Sequence, residues 1–281
     1  MQIRFSKILG ACACIALFFV PIFAGAPNAS AQIRRGFDKV VPLTQSEAAD
    51  MWNAFRRAKI AGSYAMRFTL THSPRKGENI ECDGEIFGTE RGGKTLTRIR
   101  LKKAGDADCA DFILSNSPQS QKVWRKNADG KFEEIPESEW LKPLLDGTVF
   151  SPFDLLMPYI NWTPKYAGAG RIGQAVHFFE LETPKEFAAT IDKVDIAITR
   201  EFNSPAQTRV FAKGGAKTVS LGSVKKVDGL WIMLELSARD EASRDKDKLR
   251  FRAAKFRADL PSSVFDPENA IIPQIGGIQK L

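Results

Sequence analysis

The sequence of 281 residues carries 41 Lys+Arg against 33 Asp+Glu, a formal net charge of +8, and 43% of it is apolar. That composition excludes extended disorder and collagen-like or repeat-fibre architectures, and a chain of this length buries about 70–75% of its unfolded surface without disulfide or metal staples. Two His and four Cys leave little material for a multi-ligand metal site or His-based catalysis.

Residues 1–31 read as a cleavable signal peptide. Arg4 and Lys7 make a positive start, Ile8 to Ala24 is a nearly unbroken apolar run, and Ala29-Ser30-Ala31 supplies the small-x-small pattern that signal peptidase reads. A membrane anchor is the competing reading, against which Pro21, Gly25 and Pro27 stand. Cleavage before Gln32 removes two basic groups and no acidic one, so +8 falls to +6. It also removes Cys12 and Cys14, leaving Cys82 and Cys109 in an oxidising compartment, where a Cys82–Cys109 disulfide is expected. The bland alternative is two small buried residues on neighbouring strands. Nucleic-acid binding is disfavoured by that compartment.

Thr44 and Glu47 have capping-box spacing, and Ala48, Met51, Trp52 and Phe55 recur at helical intervals, which predicts a helix over 45–60 ending near Gly62. From Ser63 the period becomes two. Tyr64, Met66, Phe68 and Leu70 form one dry face, and similar segments follow at Ile80–Gly88, Thr95–Leu101, Asp108–Leu114, Gln121–Lys126 and Lys131–Ile135. A second series runs through Ile172–Leu181, Val194–Phe202, Thr208–Ala212, Thr218–Lys226, Leu230–Ala238 and Leu249–Ala258, with Asp228-Gly229 as the strongest hairpin signal. The expected fold is mainly β, one domain over 32–281: a single curved antiparallel sheet of about eleven strands, an unclosed β-barrel with two or three covering α-helices.

Between the two series, Pro136 to Pro164 has a different character. A short helix is expected over Glu137–Leu145, and a second opens at Ser151, where Ser151 is a good N-cap, Pro152 suits the first position and Asp154 answers the exposed amides. Phe153, Leu156, Met157 and Ile160 fall on one face, and Leu155, Tyr159 and Trp162 on another, so something covers both sides. Pro158 ends or kinks this helix after about two turns. The segment is either a core helix with ordinary neighbours or a lid whose second face meets an apolar ligand held by the curved sheet.

His72 and His177 have no close ligand spacing with the cysteines and read as structural, while Asp240, Glu241, Asp245 and Asp247 alternate with basic residues as on a solvated hairpin end. No nucleophile elbow or phosphate loop is present after residue 31.

The run Ser151-Pro152-Phe153-Asp154-Leu155-Leu156-Met157-Pro158, the segment Lys225-Lys226-Val227-Asp228-Gly229-Leu230-Trp231-Ile232, and Arg239-Asp240-Glu241 continuing to Arg244-Asp245-Lys246 together resemble the outer-membrane lipoprotein-sorting protein family, the Lol-type carriers and their relatives. The resemblance implies an unclosed barrel around a hydrophobic cavity that shields acyl chains in the periplasm, with no catalytic residue, cofactor or metal. It implies a monomeric carrier or chaperone of lipoprotein acyl chains or other lipid, loaded by an inner-membrane transporter and relieved by an outer-membrane acceptor. Lid residues on this reading are Phe150, Phe153, Leu155, Leu156, Met157, Tyr159 and Trp162. The concave wall is Tyr64, Met66, Phe68, Leu70, Phe112 and Leu114. The alternative from the same fold is an envelope-stress sensor that recognises lipid or misfolded envelope proteins and regulates a membrane partner.

Overall fold

The computed structural model describes residues 40–58, 60, 62–105, 109–227 and 230–281. The expected signal peptide, the cleavage point before Gln32, Asp108 and the Asp228-Gly229 turn lie outside the described residues. Helix α1 (Gln45–Arg57) opens as its spacing requires: the Glu47 amide donates to Thr44 Oγ1 at 3.3 Å, and the Thr44 amide donates to Glu47 Oε2 at 2.8 Å. Its apolar stripe, Ala48, Trp52 and Phe55, is buried. It ends three residues before the expected limit, because Ala58 already takes extended backbone and directs the chain toward the sheet.

Six strands follow as a meander: β1 (Tyr64–Ser73), β2 (Ile80–Arg91), β3 (Lys94–Lys103), β4 (Cys109–Asn116), β5 (Gln121–Lys126) and β6 (Phe132–Ile135). After a short helix α2 (Pro152–Leu156), a second meander comprises β7 (Thr163–Ile172), β8 (Gln174–Glu182), β9 (Ile191–Thr199), β10 (Pro205–Ala212), β11 (Gly215–Val227), β12 (Leu230–Asp240) and β13 (Lys246–Phe256). β1 pairs with β13, so both series join into one antiparallel sheet ordered β6-β5-β4-β3-β2-β1-β13-β12-β11-β10-β9-β8-β7. β14 (Gln279–Lys280) adds to β13, which makes fourteen strands where the sequence predicts about eleven. β7 escaped prediction because Ala167-Gly168-Ala169-Gly170 has none of the β-branched or aromatic residues that mark a strand, and β14 is too short to show a period.

Register assigns the faces. Tyr64, Met66, Phe68 and Leu70 stand opposite Gly88, Ile86, Gly84 and Cys82 of β2, which continue to Ile99 and Leu101 of β3 and to Phe112 and Ala110 of β4. On the other side they meet Phe251 and Leu249 of β13. Most of these side chains belong to one buried apolar cluster, which marks this face as the inner one. The outer face of the β1–β3 region is covered by the C-terminal segment, through Ala65 and Phe87 against Leu260, Val264 and Phe265. Buried Arg98 holds it: the guanidinium donates to Asp111 at 2.9 and 2.7 Å and to the carbonyls of Val264 and Ile271 at 3.2 and 2.6 Å.

β6 and β7 are consecutive in sequence yet lie at opposite edges of the sheet, so residues 136–162 must run from one edge to the other. The helix expected over Glu137–Leu145 does not form there. A single 3-10 turn (Glu137–Glu139) is followed by irregular chain, since Pro143 has no N–H to give and its ring blocks the preceding turn. The Leu144 amide donates instead to the Phe150 carbonyl at 2.8 Å.

Candidate functional site

Residues 149–162 form the segment that fills the inner face. α2 lasts five residues, Met157 takes a left-handed conformation (φ 49°), and Pro158–Asn161 continue as a 3-10 turn. Pro158 enforces the break, as the sequence predicts, because the residue before a proline is driven out of the right-handed helical region. Pro152, Phe153, Asp154, Leu155 and Leu156 are all buried, and so are Phe150, Met157, Tyr159, Ile160 and Trp162. The structure thus covers both apolar sides of the segment. All seven expected lid residues and all six expected wall residues belong to the same cluster.

Aromatic packing organises its centre. The Phe153 ring lies 5.7 Å from Tyr159, 6.2 Å from Trp162 and 6.1 Å from Phe187, and Trp162 lies 5.3 Å from Phe187. Phe187, in the β8–β9 connection, was not legible as part of the site, since one aromatic in a polar loop carries no periodicity. Burial pushes the Tyr159 phenol upward, beyond any physiological pH, so it remains a neutral hydroxyl.

Polar anchors fix both ends of this greasy segment. At its start, Asp247 of β13 is fully buried, and its Oδ2 accepts the Val149 and Phe150 amides at 2.7 and 2.8 Å while Oδ1 meets His72 Nδ1 at 2.7 Å. Asp154 Oδ2 accepts the Ser151 amide and hydroxyl, each at 2.8 Å, and the Lys217 ammonium of β11 at 2.5 Å. Lys217 also donates to Ser151 Oγ at 2.8 Å. At the far end, Asn116 Nδ2 donates to the Leu156 carbonyl at 2.8 Å, and Gln121 Nε2 donates to the Pro158 carbonyl at 3.2 Å. Asn116 Oδ1 in turn accepts Asn161 Nδ2 at 3.1 Å. Between these anchors the Phe153 amide donates to the Trp140 carbonyl at 2.9 Å, while the side chains of Phe153, Leu155 and Leu156 are held by apolar contact.

Two sequence expectations need correction. Cys82 and Cys109 do not form a disulfide with each other. Cys82 pairs with Lys103 and Cys109 with Lys102, so they stand on opposite faces with β3 between them. Two strand spacings are about 9.6 Å, beyond the roughly 7 Å that a bridge tolerates. Asp247 is also not part of a solvated charged turn: alternation within Asp247, Leu249 and Phe251 places it on the inner face, and that pattern was the signal available for it. His177 Nδ1 lies 3.1 Å from the Tyr166 hydroxyl, which accepts the Leu43 amide at 3.0 Å, and burial lowers the imidazole's affinity for a proton.

A cavity of about 550 Å³ opens at the foot of the segment, lined by Leu141, Val149, Ala189, Val210, Lys213 and Lys217 among others. Of the thirteen expected lid and wall residues none lines it; they pack against one another instead. Among the described residues no helix is long and apolar enough to cross a membrane.

Comparison with known proteins gives the fold. No family model and no curated protein matches the chain. Solved structures do. A DUF1329 family protein from Desulfovibrio piger superimposes with a TM-score of 0.69 at 11% identity, covering 79% of this chain and 96% of that one. A protein described as a putative outer membrane lipoprotein-sorting protein domain, from Vibrio parahaemolyticus, gives 0.65 at 15% identity, over 78% and 95% of the two chains. A LolA superfamily protein from Nitrosomonas europaea gives 0.57 at 13% identity, over 80% and 98%. The large, open antiparallel sheet is therefore a shared architecture.

Proposed function

We propose that the protein is a periplasmic carrier of acyl chains, of lipoproteins or other lipids, exported by cleavage before Gln32 and acting without catalysis. The observation that carries this reading is the segment 149–162. It fills the inner face of an open sheet with apolar side chains on both sides, and a handful of polar fastenings hold it there: Asp247 at Val149 and Phe150, Trp140 and Lys217 at Phe153 and Asp154, and Asn116 and Gln121 at Leu156 and Pro158. Side chains that enclose so much apolar surface can be exchanged for alkyl chains at small net change, because each buried methylene contributes about 0.8 kcal/mol whichever molecule supplies it. Phe150, Phe153, Leu155, Leu156, Met157, Tyr159 and Trp162 would then swing from the wall formed by Tyr64, Met66, Phe68, Leu70, Phe112 and Leu114 and line the ligand.

The fold shared with a protein whose description names lipoprotein sorting supports the same reading. Nothing in this site supplies energy, so loading and release would follow from the affinities of a membrane donor and acceptor. The test is native mass spectrometry of the protein purified from its host, joined to hydrogen exchange with and without a triacylated lipopeptide. The carrier reading expects a bound acyl species and faster exchange of the 149–162 amides with ligand. Absence of any acyl ligand, with those amides exchanging only on global unfolding, overturns it. A stoichiometric membrane protein recovered in place of lipid supports the regulatory sensor instead.

A further inference from the structure

The outer face carries a second feature, unrelated to the apolar segment. Register aligns Arg209, Thr218, Arg239 and Lys246 in one row across β10, β11, β12 and β13, and Gln207, Ser220, Ser237 and Lys248 in the next. A polar cleft of about 540 Å³ lies over these rows, lined by Gln207, Thr218, Ser220, Ser237, Arg239, Glu241, Arg244 and Lys246. Its floor is hydroxyl and amide, with Gln207 Nε2 donating to Ser220 Oγ at 3.3 Å.

The charge of the cleft is not balanced. Its single acid, Glu241, is already engaged by Arg209 through two bonds of 2.9 and 2.5 Å and by the Thr218 hydroxyl at 2.8 Å, which together hold its carboxyl below the usual range. Lys248 of the neighbouring row pairs with Glu235 at 3.1 Å. Among the described residues, no carboxylate lies within ion-pair distance of Arg239, Arg244 or Lys246. Arg239 and Lys246 stand directly opposite each other on adjacent strands, a like-charge pairing that costs stability. Arg244 adds to this by adopting φ 67°, a left-handed conformation in the β12–β13 turn that glycine would take without strain.

We infer that this cleft binds a terminal phosphate group, as a phosphomonoester presents it. Three cations without a carboxylate in ion-pair contact, of which only Arg239 feels the field of Glu241, meet over a hydroxyl floor and match a compact oxyanion with several acceptors: the guanidinium groups of Arg239 and Arg244 offer paired donors, Lys246 a point charge, and Ser and Thr hydroxyls donate to the remaining oxygens. An anion there also relieves the Arg239–Lys246 repulsion. The same chemistry is presented by a free phosphate ester and by the phosphomonoester headgroup of a lipid.

Two titrations on the full mature chain test the assignment. One uses inorganic phosphate and glycerol 3-phosphate, followed by calorimetry; the other uses vesicles of phosphatidylcholine alone, with phosphatidic acid, or with phosphatidylglycerol. The variant R239Q/R244Q/K246Q removes the site, and K94Q/K131Q/K225Q removes the same charge from exposed positions elsewhere. Each exposed charged contact contributes a factor of about two to five, so the site variant should weaken binding roughly tenfold or more while the control stays within about twofold. Binding of the soluble esters identifies a free phosphorylated ligand, and binding confined to phosphatidic acid vesicles identifies a lipid headgroup; both uphold the cleft. Equal loss in the two variants, equal binding to phosphatidic acid and phosphatidylglycerol, or no binding to any probe overturns it. Arg244→Gly, which frees the turn of its strain, shows that loss of the side chain rather than of folding is responsible.

Discussion

Asp247 on β13 and His72 on β1 lie 2.7 Å apart through Oδ1 and Nδ1, both buried, while the other carboxylate oxygen accepts the amides of Val149 and Phe150. One side chain thus joins the seam between the two meanders to the start of the segment that covers them. Asp247→Asn keeps the shape but replaces a charged acceptor with a neutral amide: with its oxygen toward the two amides, its N–H faces His72 Nδ1, which must take the other tautomer to accept, and the charge-assisted bonds to the amides are lost. We expect a loss of about 3 kcal/mol in unfolding free energy. Urea denaturation measures it; a change below about 0.5 kcal/mol would show that the carboxylate is not what fastens the segment.

His177 gives a pH dependence with a definite sign. Burial, reinforced by Arg200, lowers its pKa below the ordinary 6.5, so between the folded and unfolded values the unfolded chain holds more protons. Stability is therefore complete above about pH 6.5 and declines as pH falls through the unfolded value, with a slope of up to about 1.4 kcal/mol per unit for this one proton. His177→Gln should flatten the profile in that window, measured by thermal unfolding across pH 5–7 in matched ionic strength. An unchanged slope would remove His177 as its source.

Gly84 and Phe68 form a cross-strand pair on the inner face, and a Cβ at Gly84 would sit 2.1 Å from the Phe68 ring. The ring can lie flat over the sheet only because the partner has no side chain. Gly84→Ala should cost about 1–3 kcal/mol by forcing the ring off its rotamer. Adding Phe68→Leu should recover part of it, with a coupling of about 0.5 kcal/mol or more in a double-mutant cycle. Strict additivity would show that the two do not share the strain.

Most of the architecture could be read from the chain because it rests on period: the inner faces of β1 and β2 alternate, the α1 stripe repeats at helical spacing, and Ser151-Pro152 with Pro158 brackets the covering helix. What failed was local or relational. Ala/Gly-rich β7 has no apolar period, and Pro143 breaks an otherwise helical pattern. The thirteen apolar residues expected as lid and wall of a cavity share one buried cluster, where they pack against one another, and the polar side chains that hold them could not be paired in advance. Lys217 and Asp154 are sixty-three positions apart and Asp247 meets Val149 across ninety-eight, so only the register of the sheet brings them together. The cysteine expectation failed for the same reason, since compartment says that a bridge is allowed and not that strand β3 stands between the partners.

That register leads to a chemical prediction about the thiols. Cys109 is half-buried on the outer face, and burial pushes its thiol upward while nearby Arg100 pulls the other way. Cys82 is buried on the inner face. In the folded protein Cys109 should react with a maleimide slowly at neutral pH and faster as the pH rises, and Cys82 should be protected until unfolding. Peptide mapping without reductant should recover no fragment joining the two; recovery of one would require β2 and β4 to be rearranged.

The Lys217–Asp154 pair separates stability from exchange. The Asp154 side chain is 1% exposed and that of Lys217 12%, so removing either partner strands the other in a poorly solvated place. Lys217→Met should cost about 3–5 kcal/mol, whereas the double variant K217M/D154N, which leaves no buried charge, should recover a substantial part of that loss. Asp154→Asn still has its capping role at Ser151, though weakened. If the covering segment yields to acyl chains, the double variant should load and release a fluorescent fatty acid faster than the parent while remaining folded, because the segment has lost its ionic tether but not its apolar contacts. Stopped-flow exchange at matched stability reads this directly. Unchanged rates in a folded double variant would mean that the tether does not limit opening, and faster rates only in the unstable single variant would trace them to unfolding.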